Sequence, residues 1–106
     1  MTDEDLQPYD LGTYRSRRYF LGRRAEPNEQ APEEFAVVVY YRDAETKENV
    51  EVARVDTAHG YTHFDRLYRR DEKKDPVDWT YWEAVEELIE NWRRYAEQYD
   101  ETHGTS

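Results

Sequence analysis

The sequence predicts an α+β fold, an antiparallel meander of three or four strands with one long C-terminal helix packed on one face of the sheet. Three observations support this prediction. Residues 35–41 form a β-branched and aromatic run, alternating segments follow it between polar turns, and apolar residues near the C-terminus recur at three- and four-residue spacing. We expect one domain over residues 13–100, between an acidic tail (1–12) and a polar tail (101–106).

The central strand is predicted at Glu34–Arg42, because Phe35 to Tyr41 is apolar on both faces. A polar segment separates it from the next strand, with which it forms a β-hairpin. Gly60 can adopt the positive φ that the following tight turn needs. The strands are predicted at residues 14–21, 34–42, 50–57 and 61–69, joined by loops or turns at 23–32, 43–49 and 58–60.

The helix is predicted to begin after Asp78 or Thr80 and to run to about residue 98. Thr80 and Glu83 have the spacing of a capping box, in which each side chain bonds the backbone amide of the other residue. An apolar stripe along the helix predicts the surface that faces the sheet. Its members are Trp82, Val85, Leu88, Ile89, Trp92, Ala96 and Tyr99.

The charge composition is unusual, with 25 acidic against 15 basic residues and a net charge of -10. Only three of the basic residues are lysines, at positions 47, 73 and 74. Scarce lysine with abundant carboxylates is typical of extreme halophiles, because molar salt screens the repulsion between surface carboxylates. The sequence therefore predicts a halophile-type acidic protein.

The same totals restrict location and chemistry. The chain has no cysteine, which excludes disulfides and thiolate catalysis. Its longest apolar run has seven residues, too short to span a bilayer, and its acidic N-terminus has no secretory-signal pattern. We therefore expect a cytoplasmic protein without membrane contact.

Titratable side chains cluster around one predicted turn. Strand alternation places His63 and Asp65 on one face, with His59 at the turn and Asp56 at the end of the incoming strand. These four residues form a possible divalent metal site, or Asp56, His59 and His63 supply acid/base chemistry. Their spacing matches no established metal motif, and no other cofactor is predicted. The alternative is that Asp56 shapes the turn while the histidines are surface residues.

Arginines and aromatic residues alternate near the first predicted strand, as on surfaces that bind single-stranded nucleic acid. The net charge opposes RNA binding, and high salt weakens it further. The alternative is that these arginines pair with the many acids of the chain. The residues concerned are Arg15, Arg17, Arg18, Arg23 and Arg24, with Tyr14, Tyr19 and Phe20 between them.

The segment from Val52 to His63 reads V-A-R-V-D-T-A-H-G-Y-T-H. It resembles a hairpin in short uncharacterised proteins of halophilic archaea and bacteria, which also have a tryptophan-containing C-terminal helix. Its layout is similar to small toxins of toxin–antitoxin pairs. This second resemblance implies that Arg54, Asp56, His59 and His63 are catalytic. Asp65 departs from it, because that pattern often has a basic residue or histidine there.

Two functions follow as hypotheses. One helix covers only one face of a sheet, so the other face needs a partner, and a symmetric homodimer is the commonest solution. This favours a dimeric binding or interaction module, with a further protein partner possible. The alternative is a toxin-like ribonuclease or metal-dependent hydrolase centred on Asp56, His59 and His63. Whether the protein is an enzyme is left open.

Overall fold

The computed structural model describes residues 6–26, 30, 33–58, 61–66 and 74–103. Six strands and one helix lie within them, so the α+β class is confirmed, whereas the expected number of three to four strands is too low. The elements are β1 (Gln7–Tyr14), β2 (Arg17–Glu26), β3 (Glu34–Arg42), β4 (Asn49–Ala58), β5 (Tyr61–Arg66), β6 (Lys74–Val77) and α1 (Tyr81–His103).

All six strands belong to one antiparallel sheet in the order β1-β2-β3-β4-β5-β6. Every strand therefore pairs with its neighbour in the chain, as predicted for a meander. β3 lies inside the sheet and has the predicted bounds, Glu34–Arg42. Its residues 35–39 are all buried, which explains why the sequence there is apolar at consecutive positions.

The first strand occupies residues that the sequence assigned partly to an acidic tail. Residues 7–12 pair with β2, with a register shift between Asp10 and Gly12. The turn that joins β1 to β2 consists of Arg15 and Ser16, both at positive φ. Glycine and asparagine are the usual residues at such positions, so the residues at 15 and 16 did not indicate a turn within the predicted strand at 14–21.

The sixth strand is short and lies at the opposite edge of the sheet. β6 contains Pro76, and a proline among charged residues is typical of a loop. Proline lacks a backbone donor, and a sheet accommodates it mainly at an edge. The sequence therefore predicted no strand at residues 74–77, and the structure accommodates one there because β6 lies at the edge of the sheet.

Helix α1 begins at the predicted cap and continues beyond the predicted end at residue 98, into the segment assigned to a polar tail. The Thr80 hydroxyl accepts a hydrogen bond from the Glu83 backbone N–H at 3.2 Å, and a Glu83 carboxylate oxygen accepts one from the Thr80 N–H at 2.9 Å. The capping box is therefore confirmed. Within the described residues, no helix combines the length and the apolar character needed to cross a membrane.

The helix packs on one face of the sheet through a stripe that differs in part from the prediction. Trp82, predicted to face the core, is 54% exposed, whereas Tyr81 is buried in its place against Phe35. Helical spacing alone left both aromatic residues near the edge of the stripe. The buried helix residues are Tyr81, Ala84, Val85, Leu88, Trp92, Tyr95 and Ala96.

Aromatic rings connect the helix to the sheet. Tyr19 is fully buried, with ring centroids 5.4 Å from Tyr41 and 5.2 Å from Trp92. At the other side of the helix, Phe64 lies 5.7 Å from Tyr95. Each such ring buries about 150–250 Å², so a few aromatic residues supply a core for a chain with only 37% hydrophobic residues.

Candidate functional site

The face of the sheet opposite α1, here called the open face, contains the predicted site residues. Strand register sets its composition, since paired residues on neighbouring strands point to the same side. Ala36 on β3 pairs with Asp56 on β4, which pairs with His63 on β5. One step along the strands, Val38 pairs with Arg54, which pairs with Asp65.

Four of the five predicted site residues therefore lie together on the open face. The Arg54 Nε donates to the Asp56 Oδ2 at 2.8 Å, and the Arg54 guanidinium lies 3.4 Å from a Glu51 carboxylate oxygen. His63, directly across from Asp56, is only 7% exposed. His59, the fifth residue, lies outside the described residues. Arg54, Asp56, His63 and Asp65 together with Arg24 form the part of the face called the charged half.

The charged half can support proton transfer more readily than anion binding. An imidazole across from a carboxylate has the composition of an acid/base pair. Arg54, however, already pairs with the carboxylates of Asp56 and Glu51, which reduces its ability to bind a phosphate group. Across the described ranges, no three histidine, aspartate or glutamate side chains are grouped closely enough to hold a metal ion. The site that includes His59 stays a prediction.

Beside the charged half, the open face contains a group of apolar side chains on β2 and β3. Phe20 on β2 pairs with Tyr40 on β3, and their rings stack with centroids 5.6 Å apart. Gly22 lies beside them, and a Cβ at this position would be 3.0 Å from the Leu6 Cδ1 and 3.1 Å from the Tyr40 Cε1. The close packing of Leu6 therefore depends on glycine. Leu6, Phe20, Gly22, Val38 and Tyr40 form the apolar half.

The sequence predicted that this face needs a partner but did not predict the contribution of Leu6, which was assigned to a tail. Burial of apolar residues within the single chain also reduces the area of this face that needs a partner. Ala36 and Val38 are fully buried within the single chain, whereas Leu6, Phe20 and Tyr40 remain half-buried. Among these residues of the open face, the partly exposed apolar side chains thus lie on β2 and β3 and just before β1.

The arginines near the first hairpin form ion pairs. Arg15 and Arg17 both reach Asp100 on the helix, at 3.5 and 2.8 Å, and Arg18 pairs with Asp10. The Arg17 guanidinium also lies 4.4 Å from the centroid of the Tyr41 ring. On the open face, Arg24 lies 2.7 Å from a carboxylate oxygen of Glu26. These contacts match the alternative in which arginines pair with acids. RNA binding itself stays a prediction.

A cleft on the helix side of the sheet was also missed. Its volume is about 470 Å³, and it lies between α1 and the last two strands. Its walls come from three separate elements, which no local pattern brings together; the only sequence signal was Trp79, a tryptophan just before the helix cap. The lining residues are Phe64, Val77, Trp79, Glu87, Arg94, Tyr95 and Gln98.

Comparison with known proteins identifies a family. A family model described as "Domain of unknown function (DUF7718)" matches residues 3–105. No curated protein and no solved structure matches the chain significantly. The family description assigns no activity, so functional inference rests on the open face and the cleft.

Proposed function

The chain belongs to the family described as a domain of unknown function (DUF7718), and we propose that it is a small binding or interaction module that closes into a symmetric dimer through its apolar half. We further propose that the protein is of the halophile type and works in the cytoplasm at high salt. The observation that carries the proposed dimer is the position of the apolar half, on the face that α1 does not cover.

A second copy of this chain is the partner that fits the apolar half. Each copy has a net charge of -10, so two copies repel one another wherever their charged surfaces meet. The members of the apolar half are uncharged, and contact there removes the half-buried rings of Phe20 and Tyr40 from water. The bordering carboxylates of Asp10 and Glu51 are each paired with an arginine, which reduces their repulsion. A two-fold axis through the patch lets each copy use the same residues.

The small size of the patch sets the expected affinity. A stable interface usually buries about 800 Å² per partner, and three half-buried side chains form only a modest core for it. We therefore expect weak self-association that strengthens with salt, since salt screens the repulsion between the two copies. Light scattering over a concentration series, at low salt and in molar KCl, measures both effects.

Matched variants locate the interface. Phe20→Glu places a charge in the apolar half and should shift the protein to the monomer mass of 12.9 kDa. Trp82→Glu, on the helix at an equally aromatic but exposed position, should leave self-association unchanged. Circular dichroism checks that both variants fold. A wild-type monomer at every salt and protein concentration would refute the dimer.

A second candidate function is a toxin-like ribonuclease or hydrolase that uses Arg54, Asp56, His59 and His63. The favouring observation is the direct pairing of Asp56 with His63, with Arg54 bonded to Asp56. His63 would then act as the general acid or base, and Asp56 would orient it. This candidate is the weaker one, because Arg54 also pairs with Glu51 and because His63 is buried.

A growth assay separates the two functions. If the chain is such an enzyme, its induction without a partner slows growth of a bacterial host, and the double variant His59→Ala/His63→Ala restores growth. The matched control is His103→Ala, at the far end of the helix. Unimpaired growth with the folded wild-type protein would exclude the toxin-like activity and leave the interaction module.

A further inference from the structure

The cleft between α1 and the strands β5 and β6, here called the aromatic cleft, lies on the opposite side of the sheet from the apolar half. Phe64 forms its floor, with its ring centroid 5.3 Å from Trp79 and 5.7 Å from Tyr95. Phe64 and Tyr95 are buried, whereas Trp79 is half-buried and so presents part of its ring to the opening. The volume of about 470 Å³ lies within the range of small-molecule sites, roughly 300–1,000 Å³.

One end of the aromatic cleft has a positioned carboxylate. The Asn91 side-chain amide donates to a carboxylate oxygen of Glu87 at 2.9 Å and to the Glu87 backbone carbonyl at 2.9 Å. These two bonds restrict the Glu87 side chain to few rotamers. A carboxylate restrained in this way beside aromatic rings is suited to a cationic group.

The other end has a cation. Arg94 lies along the ring of Tyr95, 5.9 Å from its centroid, and forms no ion pair with any residue in the described ranges. It differs in this from Arg15, Arg17 and Arg54, which pair with carboxylates. Gln98 follows one turn later and adds an amide to the same end.

Helix geometry fixes the separation of the two charged ends. Glu87 and Arg94 are seven residues apart on α1, and the rise of about 1.5 Å per residue places them about 10 Å apart along the axis. The aromatic residues Tyr95, Phe64 and Trp79 line the cleft with them. The cleft therefore combines a negative end, an aromatic wall and a positive end in one line.

We propose that the aromatic cleft binds a small dipolar ring compound, with a cationic amine at Glu87, an aromatic ring against Trp79 and Phe64, and a carboxylate at Arg94 and Gln98. Charge complementarity at both ends selects a ligand with opposite charges at opposite ends. A purely apolar ligand would remove water from both charged side chains without supplying an opposite charge to either. The proposal is independent of dimer formation, because the two surfaces lie on opposite faces of the sheet.

Three related probes test this assignment. The first is 4-(aminomethyl)phenylacetate, with its amine and carboxylate at opposite ends of one ring; phenylacetate and benzylamine each lack one of the two charges. Binding is measured by two-dimensional ¹H–¹⁵N NMR, which resolves the indole N–H signals of Trp79, Trp82 and Trp92 separately. We expect the dipolar probe to bind most tightly and to shift the Trp79 signal, with the exposed Trp82 signal unchanged.

Charge-removing variants assign the two ends. Arg94→Gln should weaken the dipolar probe and phenylacetate about tenfold, and Glu87→Gln should weaken the dipolar probe and benzylamine by a similar factor, as for loss of a charge-assisted hydrogen bond. Arg93→Gln is the matched control, because Arg93 lies over the Trp92 ring and does not line the cleft. Equal binding of all three probes, an equal effect of Arg93→Gln and Arg94→Gln, or no shift of Trp79 would overturn the proposal.

Discussion

Tyr19 shows how a single residue can limit the stability of this core. Its ring is fully buried between Tyr41 and Trp92, and its hydroxyl lies close to the Arg17 side chain without a hydrogen bond of normal geometry to any described residue. Burial raises the pKa of Tyr19 above its usual value, because it disfavours the phenolate; the nearby Arg17 opposes this shift but does not cancel it. A buried hydroxyl without a partner costs free energy that a phenylalanine would not.

We therefore predict that Tyr19→Phe stabilises the protein by roughly 1 kcal/mol at neutral pH. The pKa shift adds an alkaline effect. Since the folded state of the wild-type protein holds the Tyr19 proton more tightly than the unfolded state, the contribution of this tyrosine to stability is complete below the ordinary tyrosine pKa of 10.0 and is lost as pH rises through the folded pKa. Urea unfolding followed at several pH values should show a smaller alkaline loss for the variant.

Burial also raises the pKa values of Tyr40 and Tyr99. The Tyr19→Phe variant should therefore still lose some stability at alkaline pH, because these two tyrosines remain. Thr13→Ala, at an exposed position of β1, is the control for a change outside the core. A Tyr19→Phe protein that is less stable than the wild type at neutral pH would mean that the hydroxyl has a favourable partner.

Among the secondary-structure elements, those whose formation depends on neighbouring residues in the chain were predicted from the sequence. The bounds of β3 and the Thr80–Glu83 cap follow from a seven-residue apolar run and a four-residue motif, and both are confirmed. β1 and β6 contain few apolar residues and exist because β2 and β5 offer them backbone partners. A prediction from short sequence segments cannot identify such strands, because it does not include the neighbouring strand with which each one pairs.

The same distinction applies to the candidate sites. The proximity of Asp56 to His63 was predictable, because a tight turn fixes which residues of a hairpin face one another. The aromatic cleft was not, because Phe64, Trp79 and Tyr95 come from a strand, a connection and a helix. Helical periodicity also could not decide between Tyr81 and Trp82, since both adjoin the buried stripe.

The β1–β2 turn leads to a prediction at this scale. Ser16 has a φ of 69°, a left-handed conformation that costs a residue with a side chain roughly 1 kcal/mol. Ser16→Gly should therefore stabilise the protein by up to that amount, as seen in the midpoint of urea unfolding. Ser16→Ala keeps the steric cost and serves as control. Equal midpoints for the two variants would show that the turn is not strained.

For the whole molecule, the balance of charge decides how stability depends on salt. The exposed ion pairs, such as Arg18 with Asp10 and Arg15 with Asp100, contribute about 0–1 kcal/mol each and weaken as salt increases. The net charge of -10 has the opposite effect on salt dependence, because carboxylates in excess over basic residues repel one another and salt screens this repulsion. Ten uncompensated charges outweigh a few surface pairs.

We predict that the free energy of unfolding rises as KCl increases from about 0.1 M to about 1 M, where the Debye length falls from about 10 to about 3 Å. NaCl at equal concentration should act alike, because screening depends on ionic strength. Thermal unfolding monitored by circular dichroism at a concentration where the protein is monomeric gives the measurement. A stability that is flat or falls with salt would contradict the halophile-type interpretation.

The order of elements has a consequence for how the protein is made. Because each strand pairs with the one before it, the ribosome releases the sheet in the order in which it assembles. The helix that covers Leu21, Val37 and Val39 follows all six strands, so a nascent chain can present a paired sheet whose apolar side still has no cover. Pausing of translation before residue 81 would therefore expose this surface to aggregation or to chaperones. The rate of translation should matter most at the codons of the charged segment that precedes the helix.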